Sequence, residues 1–364
     1  MPNTVDVNKA LVLDQSAGVI GRVVDMSATI NLIPMEWGLV NQLGVFRDEY
    51  GTQKTFMIPI YEEEEAGLLT DRGFEEGRNV QRQGERGGMF GKVPHFPIDD
   101  AIKPADLDGY LAPGTVLGAG MQMESVARLR AVKMEGLRKK HALVKEFART
   151  NALVTGDVYA PNGTIKTNYG NTINMYIEWG ITRDQVTLNL APTVDPLVSV
   201  SELYGKMQDA AKQGDALDGY MVICSPELFQ TLIQHPYIRD VYTQANQYPQ
   251  AREILVGRLG SGRFDKRYRQ FEYGNITFVE YRGVLGGQRA IPAGEGVALP
   301  LGSSLGFLQH APAQRLDTIN QVAQDSYYFE YGDEKKGIIE LMSETNFAAI
   351  LERPDLVKTV KFTV

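Results

Sequence analysis

Four histidines (His95, His141, His235 and His310) and a single cysteine, Cys224, are the first residues of this 364-residue chain to test for chemistry on a small molecule. A metal centre needs such ligands at close, repeated spacing, as in H-x-x-x-H or C-x-x-C. The four histidines are scattered without such spacing, and one cysteine builds neither a thiolate site nor an intrachain disulfide. Cys224 lies in the apolar run GYMVICSP, which predicts a buried, inert thiol. His141 falls on the apolar stripe of a helical pattern and reads as a packed histidine. GTQKT at Gly51 lacks the spacing and second glycine of a phosphate-cradling loop. GRLGSGR from Gly257 has no strand-to-helix setting around it, and DLDG at Asp106 lacks most ligands of a calcium loop. Carboxylates working as general acid and base remain: Asp99, Asp100, Asp106 and Asp108 are the best set, yet no spacing selects a pair. The expectation is therefore no catalytic residue, no metal and no cofactor.

Charge supplies the next candidate chemistry. Arg128, Arg130, Lys133, Arg138, Lys139, Lys140, Lys145 and Arg149 crowd the segment RLRAVKMEGLRKKHALVKEFARTNALVTG. A dedicated nucleic-acid binder carries a basic excess to neutralise phosphates, whereas this chain has a formal net charge of -8. Screening confines a local basic patch to about 8–10 Å. Glu124, Glu135 and Glu146 interrupt the run, as on a helix whose charges pair locally. No apolar run is long enough to cross a bilayer, and no basic segment followed by an apolar one opens the chain.

The elements that must carry these residues follow from periodicity. Residues 1–45 alternate short apolar clusters with Gly and Pro, which predicts an extended arm with one short helix near Trp37. KTFMIPIY and GKVPHFPI read as strands. Between them, 62–91 is rich in Gly, Glu and Arg and poor in large aliphatics, which predicts a long projecting hairpin with no core of its own. Met123, Ala127, Met134, Leu137, His141, Val144 and Ala148 share one helical stripe, broken only by Arg130, so a long amphipathic helix is expected over 119–149. ALVTGDVYAPNGTIKTNYG reads as two strands around a PNG turn. Ser201 is a candidate cap for the next helix, and Pro226 opens another. YGNITFVEYRG and GEGVALPLG read as strands, and the last residues as strands interrupted at Pro354. Helices and strands alternate without a regular βαβ beat, so the class is α+β.

The order of these elements resembles the lambda-type phage major capsid protein E family, with the Hong Kong 97 capsid fold. The residues that carry the resemblance are KTFMIPIY, GKVPHFPIDDAIKPADLDGYL, NALVTGDVYAPNG, ICSPELFQTLIQHPYIRDVY, YGNITFVEYRG and ETNFAAILERPDLVKTVKF, in that order from about Phe46 onward. The resemblance implies an N-terminal arm (1–45), an E-loop (46–96), a peripheral domain (97–185 and 315–364) with its spine helix at 119–149, and an axial domain (186–314). It also implies a bacteriophage structural protein that self-assembles as hexamers and pentamers into an icosahedral head enclosing double-stranded DNA. That head would be built in the host cytoplasm and form part of the virion. A separate scaffolding protein, a portal, a cement protein and weak non-specific contact with packaged DNA are the partners implied, with no membrane. An encapsulin-like cellular shell of the same fold is the alternative.

Three sets of contact residues are expected. Glu62, Glu63, Glu64, Glu65, Arg72, Arg78, Arg82 and Arg86 should lie on a loop resting on another subunit, because the stretch has too little apolar material to fold alone. Arg258, Arg263 and Arg267 sit in a polar insertion expected at the axial-domain tip. Arg138, Lys139 and Lys140 are expected to serve mainly subunit contacts from the spine helix.

Overall fold

The structure is a computed structural model and describes residues 23–31, 38–61, 86–106, 126–161, 173–211, 217–240, 268–285, 287–333 and 337–364. The chain enters through β1 (Val23–Asp25), α1 (Ser27–Asn31), α2 (Leu39–Leu43) and β2 (Phe46–Tyr50). β3 (Thr55–Tyr61) and β4 (Arg86–Lys92) form an antiparallel hairpin, with Thr55 opposite Lys92 and Tyr61 opposite Arg86. β5 (His95–Ile102) precedes the 30-residue helix α3 (Val126–Thr155). Then come α4 (Met175–Glu178), β6 (Gln185–Asn189), α5 (Leu197–Ala210), β7 (Gly219–Cys224) and α6 (Pro226–Gln234). β8 (Gln270–Tyr273) and β9 (Ile276–Glu280) make a hairpin turned by Gly274 and Asn275, both at positive φ. The two-residue strands β10 (Val284–Leu285) and β11 (Gln288–Arg289) pair with each other. The chain closes with β12 (Glu295–Leu301), β13 (Gly306–His310), β14 (Tyr327–Asp333), β15 (Ile338–Leu351) and β16 (Lys358–Thr363).

Two six-stranded sheets organise this order. In the first, β1, β14, β15, β13 and β2 lie side by side, and β5 also pairs with β15. The 14-residue β15 joins the sheet's two halves: its first part lies between β14 and β5, and its last part pairs with β13. α3 lies on this sheet, with Met134 and Leu137 packed among Ile30, Ile102, Tyr328 and Leu341. The second sheet runs β6, β16, β12, β7, β9, β8. Val200 and Leu203 of α5 and Leu228 and Phe229 of α6 cover it, with Val222, Phe278 and Ala298 beneath. Mixed pairing with helices on the faces makes the class α+β, as expected.

Several elements depart from the sequence reading. Within the described residues α3 begins at Val126 and runs to Thr155, so Ala152–Thr155, expected to begin a strand, continue the helix. Alanine and leucine favour helix, and the stop comes at Gly156, whose φ of +78° suits the left-handed end of a helix. α5 starts at Leu197 rather than near Ser201, because the Asp195 carboxylate accepts the Leu197 N–H at 2.9 Å. Pro226 opens α6 as expected, and the Ser225 hydroxyl caps it by accepting from the Leu228 N–H. Phe46–Tyr50 forms β2, running parallel to β13 in the first sheet. The closing strand β16 lies between β6 and β12 of the second sheet, and β13 lies in the first. Alternation shows that a strand has a buried face; it carries no information about which sheet supplies that face.

Candidate functional site

The basic run of α3 is the sequence feature that most invites a function, and the structure sends its side chains in opposite directions. Arg138, Lys145 and Arg149 are buried, whereas Lys139 and Lys140 are exposed. Asp325, in the loop between β13 and β14, is the common anion. Arg138 Nη1 contacts its carboxylate and donates to Ser326 Oγ at 2.7 Å and Asn31 Oδ1 at 3.2 Å. Lys145 Nζ contacts the other carboxylate oxygen and donates to the Asp325 backbone carbonyl at 2.7 Å. Thr345 Oγ1 donates to that same carbonyl at 3.0 Å. Burial pushes the Asp325 carboxyl up, but Lys145 and Arg138 outweigh it and hold the group well below the usual carboxylate range. Burial lowers Lys145 to about 8 against the pull of Asp325, so both members are ionised at neutral pH.

One turn further along, Arg149 Nη2 lies 3.5 Å from Asp48 Oδ1 on β2. The buried His310 contributes its Nε2 to the same oxygen at 3.2 Å, and a carboxylate can only accept, so His310 carries its proton on Nε2. His141 is also assigned by its partner. Ser343 Oγ donates to the Tyr327 carbonyl at 2.9 Å, which leaves it to accept from His141 Nε2 at 2.7 Å. Burial, with Lys145 and Arg138 close by, lowers the His141 pKa to about 3. The packed-histidine reading is therefore correct, and the imidazole is neutral.

Glu146, counted from sequence as an interruption of the basic run, caps α2 from within the core. Its carboxylate accepts the Val40 N–H at 2.9 Å and the Asn41 N–H at 3.1 Å, two donors that the first turn of a helix leaves open. Gly38, at φ +87°, is required here, since a Cβ would stand 1.9 Å from the Glu146 carboxyl carbon. Arg130, which breaks the apolar stripe, pairs at 2.9 Å with the buried Glu330 of β14. These side chains tie α1, α2, β2, β14 and the 311–326 loop to one helix. Arg138 is held inside its own subunit, while Lys139 stays outside in an i,i+4 pair with Glu135 at 2.6 Å and Lys140 is exposed.

The other sequence candidates are dispersed. Asp99, Asp100 and Asp106 line an open cavity of about 630 Å³ with Lys103, Lys133 and Glu340. Lys133 pairs with Asp100 at 2.9 Å; burial raises the Asp100 carboxyl, but Lys133 and the Ala101 N–H bring it below its ordinary value, the wrong direction for a general acid. Asp108 lies outside the described residues. His95 Nδ1 meets Asn346 Oδ1 at 2.7 Å and His235 Nε2 meets the Ala191 carbonyl at 3.1 Å, each at a separate place. The Cys224 thiol is buried and its pKa pushed up by that burial. Among the described residues no group of three His, Cys, Asp or Glu could hold a metal, and no helix is long and apolar enough to cross a membrane. Glu62, Glu63, Glu64, Glu65, Arg72, Arg78 and Arg82, and likewise Arg258, Arg263 and Arg267, lie outside the described residues; Arg86 is placed only as the first residue of β4.

Sequence reasoning missed one surface altogether. Met57 and Phe90 stand directly opposite each other across the β3–β4 hairpin, and both are more than half exposed, while their neighbours Phe56 and Ile58 are buried. The alternation of β3 contained the signal: FMI has no polar residue to mark a solvent face.

The buried charges of this chain tie its own elements together, and its β3–β4 hairpin exposes the apolar pair Met57 and Phe90. Residues 22–362 match the family described as phage major capsid protein E, and the chain belongs to that family, a structural one whose members form the virion capsid. It is 37% identical over 342 residues to the major capsid protein of Pseudomonas phage KPP10, covering 92% of this chain and 94% of that one. It is 26% identical over 362 residues to the major capsid protein of Salmonella phage Felix O1, covering 93% and 95%. Among solved structures, the mature capsid of bacteriophage PhiM1 matches with a TM-score of 0.48 and 11% identity, over 88% of this chain and 86% of that one. The α+β capsid fold of Hong Kong 97 type, expected from the resemblance, goes with the family. Both named relatives are phage proteins, so the encapsulin-like alternative is not favoured.

Proposed function

We propose that copies of this chain close, as hexamers and pentamers, into the icosahedral head of a tailed phage around its double-stranded DNA. The β3–β4 hairpin carries the segment between Tyr61 and Arg86 onto an adjacent subunit. The observation that carries this reading is the exposed Met57–Phe90 pair, apolar surface on the outer face of a strand pair whose inner face is already packed. Lys139 and Lys140 serve contacts between subunits and touch packaged DNA only weakly. Arg258, Arg263 and Arg267 lie at the axial tip, and the chain does no catalysis. A scaffolding protein, a portal and a cement protein complete the set of partners. Electron microscopy of the purified protein tests the shell directly. Deleting residues 64–84 should leave a folded subunit that makes no shells, and normal particles from that deletion would end the hairpin reading.

A further inference from the structure

Between β13 and β14 the chain presents Leu316, Ile319 and Val322, spaced by three, at 98%, 45% and 64% exposure. Exposure of this kind often means a loose loop, but this loop is tightly fixed. Thr318 points inward, and its hydroxyl donates to the Ala313 carbonyl at 3.1 Å. The N–H of Ile319 donates to the Arg315 carbonyl at 3.0 Å and that of Gln321 to the Thr318 carbonyl at 3.1 Å. Arg315 lies 4.3 Å over the Phe329 ring and pairs with Asp317 at 3.2 Å. Downstream, the Ala323 N–H donates to the Gly51 carbonyl at 2.9 Å, and Asp325 is gripped by Arg138 and Lys145. The loop is preorganised to hold three apolar side chains in water.

We infer that this ridge is a contact surface for a second copy of the same chain, distinct from the β3–β4 hairpin; the inference rests on the shell-forming function proposed above. Its composition fits a protein contact, with an apolar centre and the exposed polar residues Gln314, Asp317, Asn320 and Gln321 around it. Its size identifies the kind of assembly. Three such side chains offer on the order of a few hundred Å², short of the roughly 800 Å² per partner of a stable pairwise interface. A contact that small does not hold a dimer. It works where several neighbours grip each copy at once, as in a closed shell.

The test compares wild type with Leu316→Asp, Val322→Asp and Leu316→Met. Thermal melting is read on unassembled subunits, and assembly by sedimentation and electron microscopy over a concentration series. Both Asp variants should melt like wild type, because their side chains touch little within the subunit. The concentration needed for shells should rise about tenfold to a hundredfold, the range that burying one such side chain is worth. Leu316→Met should assemble like wild type. Shells from both Asp variants at the wild-type concentration overturn the ridge alone, and so does an assembly loss matched by a loss of melting temperature in both. If wild type itself forms no multimers, the shell-forming reading fails and the ridge falls with it.

Discussion

Lys145 and Asp325, 180 residues apart in sequence, form an ion pair in which the fully buried lysine also donates to the backbone carbonyl of the partly buried aspartate. The lysine holds the loop's main chain as well as neutralising its charge, so the start of β14 is positioned from the middle of α3. Asp325→Ala would leave Arg138 and Lys145 buried without their counter-ion, and should cost about 3–5 kcal/mol. Lys145→Met should cost less, because Asp325 keeps Arg138. Urea denaturation of unassembled subunits ranks the two, and the opposite order would show that the anion is not the centre of the cluster.

Acid should loosen the same region in two stages. His141 takes a proton in the unfolded chain near 6.5 but only near 3 when folded. Between those values the unfolded state binds more protons, so stability falls as pH drops, by about 1.4 kcal/mol per unit at most. Asp325 has a depressed folded pKa; its contribution is complete above about 4, its ordinary value, and is lost below it. Melting temperatures from pH 7 to pH 4 should therefore decline in wild type and decline less steeply in His141→Gln. Parallel slopes in the two proteins would remove His141 from the account.

The cap on α2 predicts a different phenotype. Glu146→Ala leaves the Val40 and Asn41 N–H groups without their acceptor, at about 1–3 kcal/mol each when buried. Gly38→Ala adds a clash to an unfavourable positive φ. Both variants should become sensitive to limited proteolysis near residues 38–45 before the rest of the subunit yields.

Reversal of Lys139 and Lys140 to Glu separates the two roles open to the exposed part of α3. Subunit stability should change by less than about 0.5 kcal/mol, as for most surface substitutions. Assembly of empty shells without DNA should be impaired. Normal empty shells combined with poor genome retention would favour nucleic-acid contact instead.

The sequence by itself determined what depends on neighbours along the chain. The stripe of Met134, Leu137, His141 and Ala148 gave the long helix and its buried face, and Pro226 marked the start of α6. KTFMIPIY reads as one arm of a hairpin, but its partner is β4, mostly inside the stretch read as loop, whereas the second half of GKVPHFPI belongs to β5 of the first sheet. The order of its strand and helix segments pointed to the family. Tertiary structure alone decided which charges belong inside. Arg138, Lys139 and Lys140 are adjacent and chemically alike, yet Arg138 faces Asp325 from a distant loop while its two neighbours face water. No local pattern reports that partner, because a buried charge is tolerated only where an opposite charge arrives from elsewhere in the fold. The same limit holds for the sheet partners of β2, β13 and β16. Alternation fixes which side of a strand is buried, but the strand beside it is chosen by long-range pairing that appears only when the whole chain has closed.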